Sequence, residues 1–297
     1  MNRRDFVRLA AVASASAACS QHGREPFTAK ATRPMPHDPS TAGETLPVLF
    51  VSHGAPTLAL DPVAGADFTR LGKSLPQPRA VLVLSAHWLD APPTLGTARR
   101  QPLLYDFSGF PERLHQVQYP APGAAELAAE LAGTLQLRHD DRRPWDHGVW
   151  VPLVHMLPSA SVPVLQLSVP HRWRAQQLFE LGQQLAPWRE RGVLVLASGG
   201  MVHNLGRLDW RNAAPPPQWA VDFEQWVRDQ LVRGDVDGLL DHRQRAPAFA
   251  LAHPTDDHFL PLLVAAGAAA LDGKPAVEFP IEGFELGSLS RLAVRFG

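Results

Sequence analysis

Alternating strand and helix patterns predict an α/β fold. We expect a single domain whose central, largely parallel or mixed sheet is flanked by helices, with the active site at the C-terminal edge of the strands. Three observations carry this expectation. Short, wholly apolar runs read as strands buried on both faces. Stretches rich in Ala, Leu and Glu lie between them and read as helices. Three of the apolar runs lead directly into a histidine-bearing turn.

The first strand is expected at 46–51 and runs into Ser52-His53-Gly54. The second, 79–85, runs into Ala86-His87-Trp88. Further strands are expected at 93–98, 162–168, 193–198 and 276–281, the fifth of these six running into Gly199-Gly200-Met201-Val202-His203-Asn204. Helices are expected at 122–134, 174–187, 218–233 and 256–271. Pro122 and Gly133 stand at the favoured start and stop positions of the first. Thr255 reads as the N-cap of the last, which puts Asp256, Asp257 and His258 in its first turn. There is no internal repeat, dinucleotide fingerprint or P-loop.

Composition narrows the function. A net charge of −1 gives no reason to expect a nucleic-acid partner or an anionic membrane surface. The single cysteine, Cys19, rules out an internal disulfide and a thiolate-rich metal centre. A metal site must then use His, Asp or Glu, which favours iron, zinc or manganese. The start, with Arg3-Arg4-x-Phe6 ahead of a short Ala/Ser-rich apolar stretch, resembles a twin-arginine export signal over 1–20 and is too short for a membrane span. Ser16-Ala17-Ala18-Cys19 partly resembles a lipoprotein processing site, with Ser16 where Leu is usual. Residues 21–45 read as a linker and 46–297 as the catalytic domain. The expected location is periplasmic or exported, and cytoplasmic if the signal is not used.

His53 and His87, both at strand ends, are the first candidate metal ligands. In His253-Pro254-Thr255-Asp256-Asp257-His258 either histidine can serve as a further ligand; the aspartates either orient a ligand imidazole or cap the helix. Trp145-Asp146-His147-Gly148-Val149-Trp150 reads as a loop in which the two tryptophans wall an aromatic ligand or simply pin the chain. His203, beside paired glycines, reads as a further ligand, a general base or a structural residue. His22, His37, His115, His139, His155, His171 and His242 lack such contexts and read as surface or structural.

Taken together, SHGAP at 52–56, SAHW at 85–88, YDFSGFP at 105–111, DHGVW at 146–150, SGGMVHN at 198–204 and HPTDDH at 253–258 resemble the class III extradiol ring-cleaving dioxygenases, and within them the 4,5-DOPA dioxygenase branch. The resemblance implies a catechol substrate and O₂, both oxygen atoms entering the product. In the wider superfamily Fe(II) is held by two His and a Glu; here His258 stands in the place of that Glu, and zinc is also known in this branch. It further implies that His53, His87 and His258 bind the metal, that His203 is the base or a fourth ligand, and that His147 contacts substrate or oxygen. Trp145, Trp150, Tyr105 and His253 are then candidate substrate contacts. Family members are mostly cytoplasmic, unlike what this chain's start suggests. A zinc hydrolase of small exported molecules and a non-catalytic periplasmic metal- or catechol-binding protein are the competing readings.

Overall fold

Residues along the first strand, β1 (Val48–Ser52), alternate between two cores: Val48 and Phe50 pack on one side of the sheet, Leu49 and Val51 on the other. The period of two, with both faces apolar, is what a central strand requires. The structure is a computed structural model and describes residues 45–96, 102–270 and 273–297; the expected signal and all of the linker except Thr45 lie outside these.

After β1 come α1 (Pro62–Lys73), β2 (Ala80–Leu89), β3 (Thr94–Leu95), α2 (Ala125–Thr134), β4 (Arg138–His139), α3 (His147–Met156), β5 (Val164–Val169), α4 (Ala175–Leu185), β6 (Val193–Gly199), α5 (Gln218–Arg233), α6 (Leu260–Ala269), β7 (Val277–Ile281), β8 (Phe284–Glu285), β9 (Leu289–Ser290) and β10 (Ala293–Phe296). The main sheet has eight strands in the order β4-β3-β5-β2-β6-β1-β10-β7. Its centre, β5-β2-β6-β1, is parallel, and β10 and β7 extend it antiparallel. The sheet is therefore mixed. α2, α4, α5 and α6 cover one face, and α1 and α3 the other. α4 and α6 meet backbone to backbone: a Cβ on Gly182 would lie 2.1 Å from the Val264 carbonyl oxygen, and one on Gly267 would lie 2.0 Å from that of Phe179. Among the described residues no helix is long and apolar enough to cross a membrane.

Several boundaries differ from the sequence-based expectation, each for a local reason. α2 starts at Ala125, because Pro122 and Gly123 pair with Val164 at the start of β5 instead. α6 starts at Leu260 and not at 256. Pro261 has no N–H to give to residue 257, so it fits only the first turn of a helix. Thr255 is thus not its N-cap, and His258 sits in the turn ahead of it. The segment around His147, expected as a loop, opens α3 with Asp146 at the N-cap position. β3 is only two residues long. α1 was not expected, although Asp61-Pro62 carries a start signal: the Asp61 carboxylate accepts the N–H groups of Val63 and Ala64.

Candidate metal centre

The C-terminal ends of β1, β2 and β6 lie side by side, since these strands are parallel neighbours. His53 follows β1, and its N–H is fixed to the Gly199 carbonyl at 3.0 Å. Gly54 then turns with φ +63°, and a Cβ there would lie 2.7 Å from Glu285 Oε1. His87 sits near the end of β2. His147 comes from the first turn of α3. His258 is held by its carbonyl, which accepts the Gly200 N–H at 3.0 Å.

These chain ends bring five imidazoles together. Ring centroids lie 4.9 Å apart for His53 and His87, 4.0 Å for His87 and His147, 5.2 Å for His53 and His147, 5.3 Å for His53 and His258, and 4.9 Å for His87 and His258. His203 stacks on His258 with centroids 3.5 Å apart and ring planes nearly parallel. Ligand atoms of His53, His87 and His147 all fall within 4.8 Å of one another. The ring of His258 is as near to His87 as that of His53 is.

Hydrogen bonds decide which nitrogen faces inward in His53, His147 and His258. Ser198 Oγ donates to the Gly148 carbonyl at 2.6 Å, so it can only accept from His53 Nδ1, 3.0 Å away. Asp106 accepts from His147 Nδ1 at 2.8 Å and from the His147 N–H at 3.1 Å. Its other oxygen lies 3.8 Å from His87 Nδ1. Asp257 accepts from His258 Nδ1 at 2.7 Å. With Nδ1 donating in His53, His147 and His258, Nε2 is the nitrogen of each ring left without a fixed partner role. His53 Nε2 and His87 Nε2 face each other at 3.0 Å, and the buried His258 Nε2 has no hydrogen-bond partner among the described residues. An orphaned buried nitrogen is costly unless something cationic sits beside it. This donor set fits a divalent metal that accepts imidazole.

Electrostatics keep His53, His87 and His203 in the neutral, ligating form. Burial, reinforced by the neighbouring imidazoles His147 and His258, holds His53 and His87 well below the ordinary histidine range. Burial and then His258 do the same to His203, against the opposing pull of Asp257. Burial raises the carboxyls of Asp106 and Asp257, but their partners outweigh it: His147 for Asp106, and His258 with Thr255 for Asp257. Both carboxylates stay below their usual range, ionised and able to accept.

Not every candidate from the sequence lies at this cluster. His253 is buried among Phe223, Phe249 and Phe259, with Nε2 donating to the Met201 carbonyl at 2.9 Å. Trp145 and Trp150 are fully buried, and Trp150 Nε1 donates to the Leu104 carbonyl at 3.3 Å. Tyr105 packs edge-on to Trp150 and Phe107, and its hydroxyl donates to the Val117 carbonyl at 2.7 Å. The tryptophans thus support the 102–119 segment from below, and Phe107 is the ring that meets His147 edge-on, at 5.9 Å. The partners of the imidazoles, Asp106 and Ser198, carry no sequence signal of their own beyond standing inside the quoted motifs.

Comparison with known proteins agrees with this geometry. Residues 67–297 match the family model described as the catalytic LigB subunit of aromatic ring-opening dioxygenase. The chain is 37% identical over 276 residues to the 4,5-DOPA dioxygenase extradiol of Escherichia coli K12, which covers 89% of this chain and 99% of that protein. It is 37% identical over 240 residues to the 4,5-DOPA dioxygenase extradiol of Beta vulgaris, covering 76% of this chain and 87% of the relative. The solved structure of the uncharacterized Escherichia coli K12 protein JW3007 superposes with a TM-score of 0.72 at 35% identity, covering 85% of this chain and all of that one.

Proposed function

We infer the reaction from family membership: the chain belongs to the family of catalytic LigB subunits of aromatic ring-opening dioxygenases and is a ring-opening enzyme of the extradiol type. Its substrate is a catechol, of the kind the 4,5-DOPA dioxygenase relatives are named for, and its co-substrate is O₂. His53, His87 and His258 hold one divalent metal, Fe(II) for catalysis, with Zn(II) able to occupy the same imidazoles. Bound there, Fe(II) supplies the redox-active centre at which catechol and O₂ meet.

The observation that carries this reading is the convergence of the imidazoles, above all the buried His258 Nε2, which has no partner among the described residues. His147 is the fourth imidazole within reach, but its place on α3 beside Phe107 suits contact with substrate better. With Nδ1 held by Asp106, its Nε2 accepts a hydrogen bond from a substrate hydroxyl. If it takes the proton, Asp106 stabilises the imidazolium, and Nε2–H becomes a donor to developing negative charge on oxygen. His203, kept neutral by burial, is the other proton acceptor for the phenol and lies against the ring of His258. Phe107 gives the substrate ring an apolar neighbour and keeps water from that side.

Anaerobic loading with Fe(II), followed by an oxygen-electrode assay over a catechol panel that includes L-DOPA, tests this. We expect one O₂ consumed per catechol and a yellow ring-fission product. Ester or amide turnover without oxygen uptake would point to a zinc hydrolase instead. Catechol binding with no turnover would point to a binding protein. The twin-arginine-like start is proposed to export the folded, metal-loaded protein; a reporter fused after residue 45 should reach the periplasm, and Arg3→Lys/Arg4→Lys should stop it.

A further inference from the structure

Strand β2 loses its ladder where His87 needs it. Leu84 pairs with Leu167 on β5, but the next pairing is Leu89 with Val169, so five residues of β2 advance against two of β5. On the other side the pairing with β6 ends at Ser85. Among the described pairings, Ala86, His87 and Trp88 have no ladder partner on either side. A ligand on unpaired backbone would wander unless something replaced the missing bonds.

The replacement is built from side chains, and they converge on Asp146. The His87 N–H donates to Ser85 Oγ at 3.2 Å, and Ser85 Oγ donates to Asp146 Oδ1 at 2.6 Å. The His87 carbonyl accepts from Arg143 Nη2 at 2.9 Å, and the same nitrogen reaches Asp146 Oδ2 at 3.2 Å. Gln166 Nε2, from the strand that β2 has left, donates to Asp146 Oδ2 at 2.6 Å. Both peptide groups flanking the His87 side chain are therefore tied to one carboxylate through a single intermediary each. That carboxylate has no solvent exposure. It also belongs to the residue before His147, and the Asp146 carbonyl accepts the N–H of Val149 at 3.0 Å in the first turn of α3. The spot has no slack: a Cβ on Gly148 would lie 2.3 Å from Ser85 Oγ and 3.2 Å from both Asp146 Oδ1 and His87 Cδ2.

We propose that Asp146, with Arg143, Ser85 and Gln166, is the positioning hub of the metal centre, setting the direction of His87 and the separation of His87 from His147 in place of the lost β2–β5 ladder. Asp146 touches neither metal nor substrate. A buried ion pair of this kind adds little net stability. The inference rests on the reading of His87 as a ligand.

The test is Zn²⁺ affinity of the full-length protein, by chelator competition well below the melting temperature, for wild type, Asp146→Asn, Arg143→Gln and Arg189→Gln. Arg189 is a buried residue at the opposite edge of the sheet, bonded to the Leu46 carbonyl, and serves as a destabilised control. We expect Asp146→Asn and Arg143→Gln to weaken Zn²⁺ binding at least tenfold, with Arg189→Gln within twofold of wild type. Wild-type-like affinity in both hub variants, or an equal loss in Arg189→Gln, overturns the hub. If Asp146→Asn does not fold, Arg143→Gln decides alone, since that side chain is already 21% exposed and its loss is tolerable. Failure of the wild type to bind Zn²⁺ at all would instead refute the metal-centre reading.

Discussion

Ser198→Ala is the sharpest single perturbation of this site, because one buried hydroxyl solves two problems at once. Pro152 lies inside α3 and has no N–H, so the Gly148 carbonyl, four residues earlier, lacks its helical donor. Ser198 Oγ supplies that donor at 2.6 Å while accepting from His53 Nδ1 at 3.0 Å. Alanine leaves a carbonyl and an imidazole N–H unpartnered in a region closed to water. Each such group costs about 1–3 kcal/mol, so a loss of about 3 kcal/mol is a central expectation. For a domain of this size about 1 kcal/mol moves the melting temperature by about 2–4 °C, so the metal-free variant should melt about 6–12 °C lower by circular dichroism. His53 also loses the oxygen that fixes its tautomer and ring direction, so Zn²⁺ affinity by chelator competition should drop about 10–100-fold. A variant that melts within a degree of wild type and binds Zn²⁺ equally well would refute both the hydrogen-bond argument and the tautomer argument.

Three further outcomes follow from the same geometry. His258→Ala should abolish tight metal binding, whereas His147→Ala should keep the metal within about threefold and lose about 10²–10⁴-fold in turnover; loss of metal in both would make His147 a ligand. Gly199→Ala places a Cβ 2.2 Å from the His258 carbonyl oxygen, a backbone atom that cannot swing aside. It should cost about 1–3 kcal/mol, read as a lower urea midpoint at unchanged slope, together with weaker metal binding. His253 is buried neutral, its pKa pushed down to about 3 by burial. Unfolding lets it return to the ordinary value and take up a proton, so its contribution is whole above pH 6.5 and is lost as pH falls towards 3. Between pH 7 and pH 5 that one residue should remove about 2 kcal/mol of metal-free stability; His53, His87 and His203, shifted in the same direction, steepen the fall. A urea midpoint that is flat over this range would contradict the burial argument.

The parallel centre of the sheet was legible because β1, β2, β5 and β6 are apolar on both faces, which only a doubly covered strand tolerates. The site was legible because three of those strands run into histidine motifs at one edge, and topology then does the gathering. α3 was hidden by its composition: it is apolar around its whole circumference, contains Pro152, and opens on Asp146, whose carboxylate bonds Ser85, Gln166 and Arg143 in place of capping the helix. The roles of Ser198, Asp106 and Asp146 were not legible, since each partners a residue more than forty positions away or through an intermediary, and such pairings have no period or spacing. Trp145 and Trp150 looked like a substrate wall because aromatic residues near histidine read the same in a core as in a cleft; the ring contacts tell them apart, since Trp150 packs on Tyr105 and Phe107 while Phe107 meets His147.

The most direct test of the metal-centre claim is anomalous diffraction at the metal edge from crystals of the loaded enzyme. One ion bonded through Nε2 of His53, His87 and His258, with every Nδ1 still turned to its oxygen partner, is the predicted result. An ion bound elsewhere, or bound through Nδ1 of these rings, would contradict it.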